Sequence, residues 1–373
     1  MRKKRSSRIK AMKKILILTN SSEGLYDFRG ELVWELLKEY QVYISVPDTI
    51  AAEKLKEAGC QVILTEMNRR GMNPVQDVKL LMSYHKLMKK IRPHCILTYT
   101  IKPNVYGGLC AGVGKIPFLP TITGLGTAFQ SEGVVNQLVK TLYRWAFQKA
   151  AVVFFQNGRN RDVFMESNLL TGRARVVKGS GVNLQKHRKE PYPGREKPRF
   201  LYVGRVMKEK GIEEFLAVAL RYANRAEFVI IGDYEEDYHR QVEKAVTEGW
   251  LTFHGPQRDV HSFYREADAV IVASYHEGMS NVVLEAAATG RPVLATNIHG
   301  CREAVEDNLT GLLFAPASVA ALEEAVETFL SLPVRRREEM GQAARAKMEQ
   351  EFDRSQIVQI YLEEIKQAVK TAE

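Results

Sequence analysis

Two glutamates, Glu277 and Glu285, stand eight positions apart in the stretch His276 to Gly300 (HEGMSNVVLEAAATGRPVLATNIHG). The apolar, β-branched run before it, Ala269 to Ser274, reads as a buried strand, and Ser280 to Ala288 reads as a helix stopped by Gly290 and Pro292. Glu277 then belongs to the strand-to-helix loop and Glu285 to the helix. A helix beginning near Ser280 leaves its first amides unpaired, where a diphosphate can accept them. Two carboxylates beside such an anion site suit sugar hydroxyls better than phosphate. Taken singly, Glu277 reads as a solvated loop charge and Glu285 as a surface helix residue.

Upstream, Phe200 to Phe215 (FLYVGRVMKEKGIEEF) reads as a strand, a turn with Gly204 and Arg205, and a helix from about Gly211. Arg205 and Lys210 bracket that turn. Two cations there suit a pyrophosphate, each charge-assisted hydrogen bond contributing about 1.5 to 3 kcal/mol. As a nucleoside diphosphate leaves a sugar, its bridging oxygen gains charge, and fixed cations lower the barrier. A solvated Lys/Arg pair is the bland alternative, and Lys208 and Lys210 can divide between the two roles.

Gly204-Arg205, Lys210-Gly211, and Glu277 followed by Glu285 resemble the donor site of the retaining glycosyltransferases of family 4. The resemblance extends over nearly the whole chain and implies the GT-B fold: two doubly wound, Rossmann-like α/β domains facing a cleft. It implies that Arg205 and Lys210 hold the diphosphate, that Glu277 contacts the transferred sugar and acts with them in catalysis, and that Glu285 bonds the ribose. The donor-binding set it implies is Gly204, Arg258, Gly278, Met279, Ser280, Asn281 and Glu285. The motifs Thr100-Ile101-Lys102-Pro103-Asn104, Thr123-Gly124-Leu125-Gly126, Tyr275-His276-Glu277-Gly278 and Gly300-Cys301-Arg302-Glu303-Ala304 are similar to the branch that builds bacterial capsule, O-antigen and N-linked glycan precursors. That branch includes α-1,3-N-acetylgalactosaminyltransferases acting on undecaprenyl diphosphate sugars. The resemblance thus implies transfer from a UDP-sugar to a lipid-linked glycan, with the leaving phosphate accepting the acceptor's proton. No D-x-D ends a strand, so the expectation is no cofactor and no metal, with Arg205, Lys210 and the helix amides in the metal's place.

Loops at the carboxyl ends of parallel strands line the ligand crevice, so the first domain offers its acceptor or sugar side there. The candidates are Gly24 in Asn20-Ser21-Ser22-Glu23-Gly24, Lys102 and Asn104 in the loop after Thr100, and Gly124 and Gly126, glycines that permit close backbone approach. Lys102 is a cation for either diphosphate or a solvated lysine. Ile101 stands where many family members have a histidine near the donor sugar, which leaves His85, His94 and His276 without a clear part. His94 opens a strand and reads as structural, whereas His276 could line the sugar pocket or point into the fold.

The elements that must position these residues alternate strand and helix. Strands are predicted at Lys14 to Thr19, Val42 to Pro47, Gln61 to Thr65, His94 to Thr100, Phe118 to Thr123, Val152 to Gln156 and Arg175 to Lys178. Helices are predicted at Gly30 to Glu39, Ile50 to Ala58, Val78 to Ile91, Asn104 to Gly112, Val135 to Ala150 and Asn160 to Ser167. A second series of strands begins at Phe200 to Val203 and ends at Gly311 to Phe314. The expected division is a basic arm 1–13, a first domain 14–182, a linker 183–198 that is polar and broken by Pro and Gly, a nucleotide-sugar domain 199–354, and a helix 355–373 packing back on the first domain. The helix Val134 to Ala150 mixes Leu138, Leu142, Trp145 and Phe147 with Lys140, Arg144 and Lys149, as an interfacial helix would, although core packing is the commoner use and the one favoured here.

The 373 residues suit two α/β domains, and no apolar run approaches the roughly 20 residues that span a bilayer. Eight basic residues and no acid precede Ile15, most of a formal charge of +10. That arm lacks a signal-peptide core, so the expectation is a cytoplasmic bacterial protein, associated with the inner face of the membrane if the arm meets anionic lipid rather than only solvent. Nucleic acid is a poor fit, since the charge is a tail and not a patch on a reading fold. Cys60, Cys95, Cys110 and Cys301 show no metal or redox spacing and read as reduced core residues. Rival readings are a UDP-sugar 2-epimerase, which needs no acceptor, and a non-catalytic nucleotide-sugar-binding subunit. A dinucleotide oxidoreductase would want G-x-G-x-x-G after the first strand, where TNSSEG stands.

Overall fold

The computed structural model describes residues 12–68, 73–125 and 134–371. All but Met12 and Lys13 of the basic arm, and Gly126, lie outside them. The described residues form two compact units, one running to Val177 and resuming at Val358, the other Lys178–Ile357.

The first unit holds a seven-stranded parallel sheet in the order β3-β2-β1-β4-β5-β6-β7, with β1 at Lys14–Leu18, β2 at Gln41–Val46, β3 at Gln61–Leu64, β4 at Cys95–Tyr99, β5 at Phe118–Ile122, β6 at Val153–Phe155 and β7 at Ala174–Val176. The second holds a six-stranded parallel sheet in the order β10-β9-β8-β11-β12-β13: β8 Arg199–Val203, β9 Glu227–Ile231, β10 Thr252–Phe253, β11 Ala269–Val272, β12 Val293–Thr296 and β13 Gly311–Phe314. Both sheets reverse direction of winding beside their first strand, at β1/β4 and β8/β11, the places where doubly wound sheets open a crevice.

The continuous apolar runs follow from burial on both faces. In β8, Phe200 and Tyr202 enter one core with Ile212, Phe215 and Phe329, while Leu201 enters the other with Val283, Leu284 and Phe352. In β11, Ile271 faces the first core, and Val270 and Val272 the second.

Several helices begin earlier than expected, which changes what the loops carry. The helix predicted from Gly30 runs Ser22–Leu37, capped by Ser21, whose hydroxyl accepts from the Gly24 amide at 3.0 Å. The helix predicted from Asn104 runs Ile101–Gly114, because Thr100, at φ +73°, turns the chain straight out of β4. Trp145 is a correction to the core reading of its helix, Val134–Phe147: Val139, Tyr143 and Phe147 fill the core side, and Trp145 is 58% exposed.

The segment 183–198 is also a correction. It is not a free linker but is packed as part of the second unit: His187 is buried, and the buried Arg291 guanidinium donates to the carbonyls of Glu190 and Pro191. The helix Arg354–Thr371 carries Tyr361 into the first unit, stacked on Phe154 at 4.1 Å, with its hydroxyl 3.0 Å from Thr121. Glu364, from the same helix, accepts from Arg173 and Arg175 at 2.8 and 2.9 Å.

Candidate active site

The two strands at the switch point of the second sheet each end in a motif loop. After β8, Gly204 adopts φ +153°, and a side chain on Gly232, which follows β9, would strike its carbonyl. A tight turn, Lys208–Lys210, leads to Gly211 at φ +72°, packed against the Ala273 carbonyl at the end of β11, and then to the helix Ile212–Tyr222. No other residue fits there without moving the backbone. The Tyr275 amide donates to the Glu209 carbonyl at 2.9 Å and its hydroxyl to Glu214 at 2.7 Å. These bonds tie the loop after β11 to the loop after β8. Across them Lys210 Nζ donates to Glu277 Oε1 at 2.5 Å, both side chains being mostly buried. Arg205 is half exposed, 3.3 Å from Glu235, with its carbonyl held by the Tyr202 hydroxyl.

The helix Asn281–Ala288 starts beside this pair. Its cap is the buried Ser280, whose hydroxyl accepts from the Val283 amide at 3.4 Å and whose own amide donates to the Gly300 carbonyl at 2.8 Å. Gly300, at φ +91°, lies so close to the Glu277 backbone that a Cβ would stand 2.8 Å from it. Glu303 accepts from the Gly300 amide at 2.6 Å and fixes that turn. The first intrahelical bond is from Leu284 to Ser280, so the amides of Asn281 and Val282 have no acceptor inside the helix. They add positive potential to that of Arg205 and Lys210. One turn further, Glu285 accepts from the Tyr264 hydroxyl at 3.1 Å, with His187 Nε2 3.7 Å from its other oxygen.

The arrangement thus places cations and helix amides beside two carboxylates at the carboxyl ends of adjacent strands. Gly204, Arg205, Lys210, Glu277, Gly278, Ser280, Asn281 and Glu285 all fall there. His276 is exposed and does not point into the fold. Met279 turns its side chain into the core over Gly179, which leaves its backbone in the loop, where the amides after Gly278 were expected to cradle the phosphate. Arg258 stays exposed, between β10 and the helix His261–Glu266. A cavity of about 480 Å³, lined among others by Arg199, Trp250 and Glu266, shares none of these residues.

In the first unit the candidates fare differently. Gly24 lies in the first helical turn, its amide already donated to Ser21. Asn104 is a correction. Its side chain is buried, accepting from Thr98 at 2.6 Å and donating to the Thr121 carbonyl at 2.9 Å, so it joins β4 to β5 and is spent on structure. Lys102 pairs with Asp77 at 2.7 Å, which offsets the charge assigned to a diphosphate. Gly124 is open, with nothing within 4 Å of where a Cβ would be, and lines a cavity of about 250 Å³ with Asn20, Thr100 and Lys102. The four cysteines are free and buried, and burial pushes the Cys60 and Cys95 thiols up to about 12.

Known families agree with this geometry. The model of glycosyl transferases group 1 matches residues 184–347, and that of glycosyl transferase 4-like proteins matches 14–157. Residues 184–347 thus form a group 1 glycosyl transferase domain and 14–157 a glycosyl transferase 4-like one, and the chain is a glycosyltransferase. Relatives of this glycosyltransferase include N,N'-diacetylbacillosaminyl-diphospho-undecaprenol alpha-1,3-N-acetylgalactosaminyltransferase of Campylobacter jejuni, 26% identical over 85% of this chain and 89% of that one. The capsular polysaccharide biosynthesis glycosyltransferase CapM of Staphylococcus aureus is 24% identical over 92% of this chain and 94% of its own. Among solved structures, Anabaena Alr3699/HepE in complex with UDP and glucose superposes with a TM-score of 0.78 over 95% of this chain and all of that one, at 18% identity. The fold of the glycosyltransferase is accordingly GT-B.

Sequence reasoning missed Tyr264, His187, Tyr275 and Glu214 as parts of the glycosyltransferase site. Tyr275, in the His-Glu-Gly motif, and Glu214, four residues after Lys210, carried local signals. Tyr264 and His187 reach the site from separate segments, and no spacing joins them to it.

Proposed function

We propose that this glycosyltransferase moves a sugar, an N-acetylhexosamine or a hexose, from a UDP-sugar to a lipid-linked glycan during assembly of a bacterial surface polysaccharide or glycan. The observation that carries the reading is the meeting of Lys210 and Glu277 at the switch point, beside Arg205 and the amides of Asn281 and Val282. Cations and amides suit the diphosphate of a nucleotide, and the carboxylates suit hydroxyls, Glu277 those of the sugar and Glu285 those of the ribose. The UDP part draws on the UDP bound to HepE, and the lipid-linked acceptor on the undecaprenol-linked substrate named for the Campylobacter relative.

In this reading the bond from the anomeric carbon to the UDP oxygen breaks as the acceptor oxygen bonds the same face, with retention. The acceptor's proton passes to the departing phosphate oxygen, so no protein base is assigned. Arg205, Lys210 and the two amides take up the charge on that phosphate, which is why no metal is assigned either.

The same reading assigns contact with an anionic membrane on the cytoplasmic side, and no nucleic acid. No helix among the described residues is long and apolar enough to cross a membrane. The helix Pro74–Ile91 exposes Val75, Val78 and Met82 together with Lys79, Lys86, Lys89 and Lys90, and Leu138 and Trp145 are exposed on Val134–Phe147. Both helices pack against Ile101–Gly114. Apolar side chains ringed by lysines suit an anionic headgroup layer.

The test is UDP release over a panel of UDP-sugars, each with and without an undecaprenyl diphosphate sugar. Release that depends on one sugar and on the acceptor supports the reading. Conversion of UDP-sugar without acceptor would replace it with an epimerase.

A further inference from the structure

We infer that Tyr264 is a positioning residue of the donor site, its hydroxyl holding the Glu285 carboxylate in the orientation that receives the ribose hydroxyls of the nucleotide, with His187 beside the other oxygen. The inference rests on the ribose assignment of Glu285 made above.

Tyr264 has no solvent exposure and lies on the helix His261–Glu266, sequence-distant from Glu285 and joined to it through the 3.1 Å bond to Oε2. A buried tyrosine hydroxyl needs a partner, and here the partner is a carboxylate, which makes the bond charge-assisted. Burial and the nearby Glu285 charge hold the phenol's pKa well above its ordinary value, so it remains a donor. Tyr264 itself is locked from behind. Arg291, fully buried, donates from Nε to the Tyr264 carbonyl and from Nη2 to that of Arg265, both at 2.9 Å.

His187 stands beside the other carboxylate oxygen, edge-on to the Tyr264 ring with centroids 6.2 Å apart and Nε2 3.7 Å from Glu285 Oε1. Burial brings its pKa down to about 3, so the ring is neutral and does not draw Glu285 into an ion pair with itself. Together the two rings confine a side chain that would otherwise lose rotamer freedom on binding. The confinement is made by the fold before the nucleotide arrives.

The test compares wild type, Tyr264→Phe, Glu285→Gln and the double variant, measuring Kd for UDP and for 2',3'-dideoxy-UDP, steady-state kinetics with the UDP-sugar, and thermal melting. Tyr264→Phe should raise the Kd for UDP and the KM for the UDP-sugar about tenfold, with kcat altered far less. It should also reduce the preference for UDP over the dideoxy analogue. In the Glu285→Gln background it should have no further effect. A Tyr264→Phe variant that melts lower yet keeps the full preference for UDP overturns the inference and leaves the ribose assignment standing. Additive losses in the double variant overturn it as well, since Tyr264 would then act by another route. If Glu285→Gln alone keeps the preference, the ribose assignment itself fails and takes the inference with it.

Discussion

Lys210 Nζ meets Glu277 Oε1 at 2.5 Å, joining the loop that follows β8 to the loop that follows β11. Because the two groups come from adjacent strands at the switch point, the pair is set by sheet order and not by proximity in the chain. It holds a cation and a carboxylate ready at one point, where a sugar diphosphate presents an anion and hydroxyls together.

Removing either cation should cost chemistry more than folding. Lys210→Ala and Arg205→Ala are expected to lower kcat by about 10²–10³, the range for loss of one group that stabilises developing charge. Arg205 is half exposed, so its variant should melt within a few degrees of wild type. UDP-release kinetics and calorimetry on the same preparations check this, and unchanged turnover in both variants would remove the diphosphate assignment.

Gly211→Ala should be severe for a residue with no functional group. Its backbone is left-handed and an added Cβ would collide with the Ala273 carbonyl, so the turn bearing Lys210 must shift. The expected cost is about 2 to 4 kcal/mol in urea unfolding, with activity lost beyond that of Lys210→Ala.

Arg291→Met tests what holds the segment 183–198. Arg291 donates to the carbonyls of Tyr264, Arg265, Gly290, Glu190 and Pro191, and its removal leaves buried acceptors without partners. A loss on the order of 3 to 5 kcal/mol is expected. Limited proteolysis should show new cleavage within 183–198, and an intact pattern would argue that other contacts hold the segment.

His187 should make the protein acid-sensitive in a defined window. Its folded pKa of about 3 lies below the ordinary 6.5, so between those values the unfolded chain binds a proton that the native state refuses. Stability from this residue is intact above pH 6.5 and falls as pH drops toward 3, by up to about 1.4 kcal/mol per unit. Unfolding free energies of wild type and His187→Gln should therefore differ in slope by up to one proton between pH 4 and 6, and parallel curves would deny the neutral buried imidazole.

Membrane contact predicts two separable losses. A chain lacking residues 1–13 should sediment less with phosphatidylglycerol vesicles, as should Trp145→Ser with Leu138→Ser, while turnover on a short-chain soluble acceptor persists. Equal sedimentation of all three proteins would make both the arm and the exposed helix face irrelevant to lipid.

Much of the donor site was legible because its signals are local. Glu277 and Glu285 straddle a strand-to-helix boundary readable from a β-branched run and a following alanine-rich helix, and Gly204-Arg205 and Lys210-Gly211 sit at the same kind of boundary. The acceptor side was less legible. Whether Ser22 and Ile101 open helices depended on a Ser21 cap and on the unusual backbone of Thr100, and both shortened the loops that had been assigned ligands.

The sequence by itself determined the alternation of strand and helix, the two-domain division and the residue types at the second sheet's motif loops, since periodicity and turn chemistry act over a few residues. Only the tertiary structure decided which of those residues are free for a ligand and which are spent. Asn104 is consumed by Thr98 and the Thr121 carbonyl, whereas Lys102 reaches Asp77 much as Lys210 reaches Glu277. Tyr264 and His187 were recruited to Glu285 from other segments. Such partnerships arise where a parallel sheet brings distant chain segments side by side, and buried polar groups must then pair with whatever the packing places within reach.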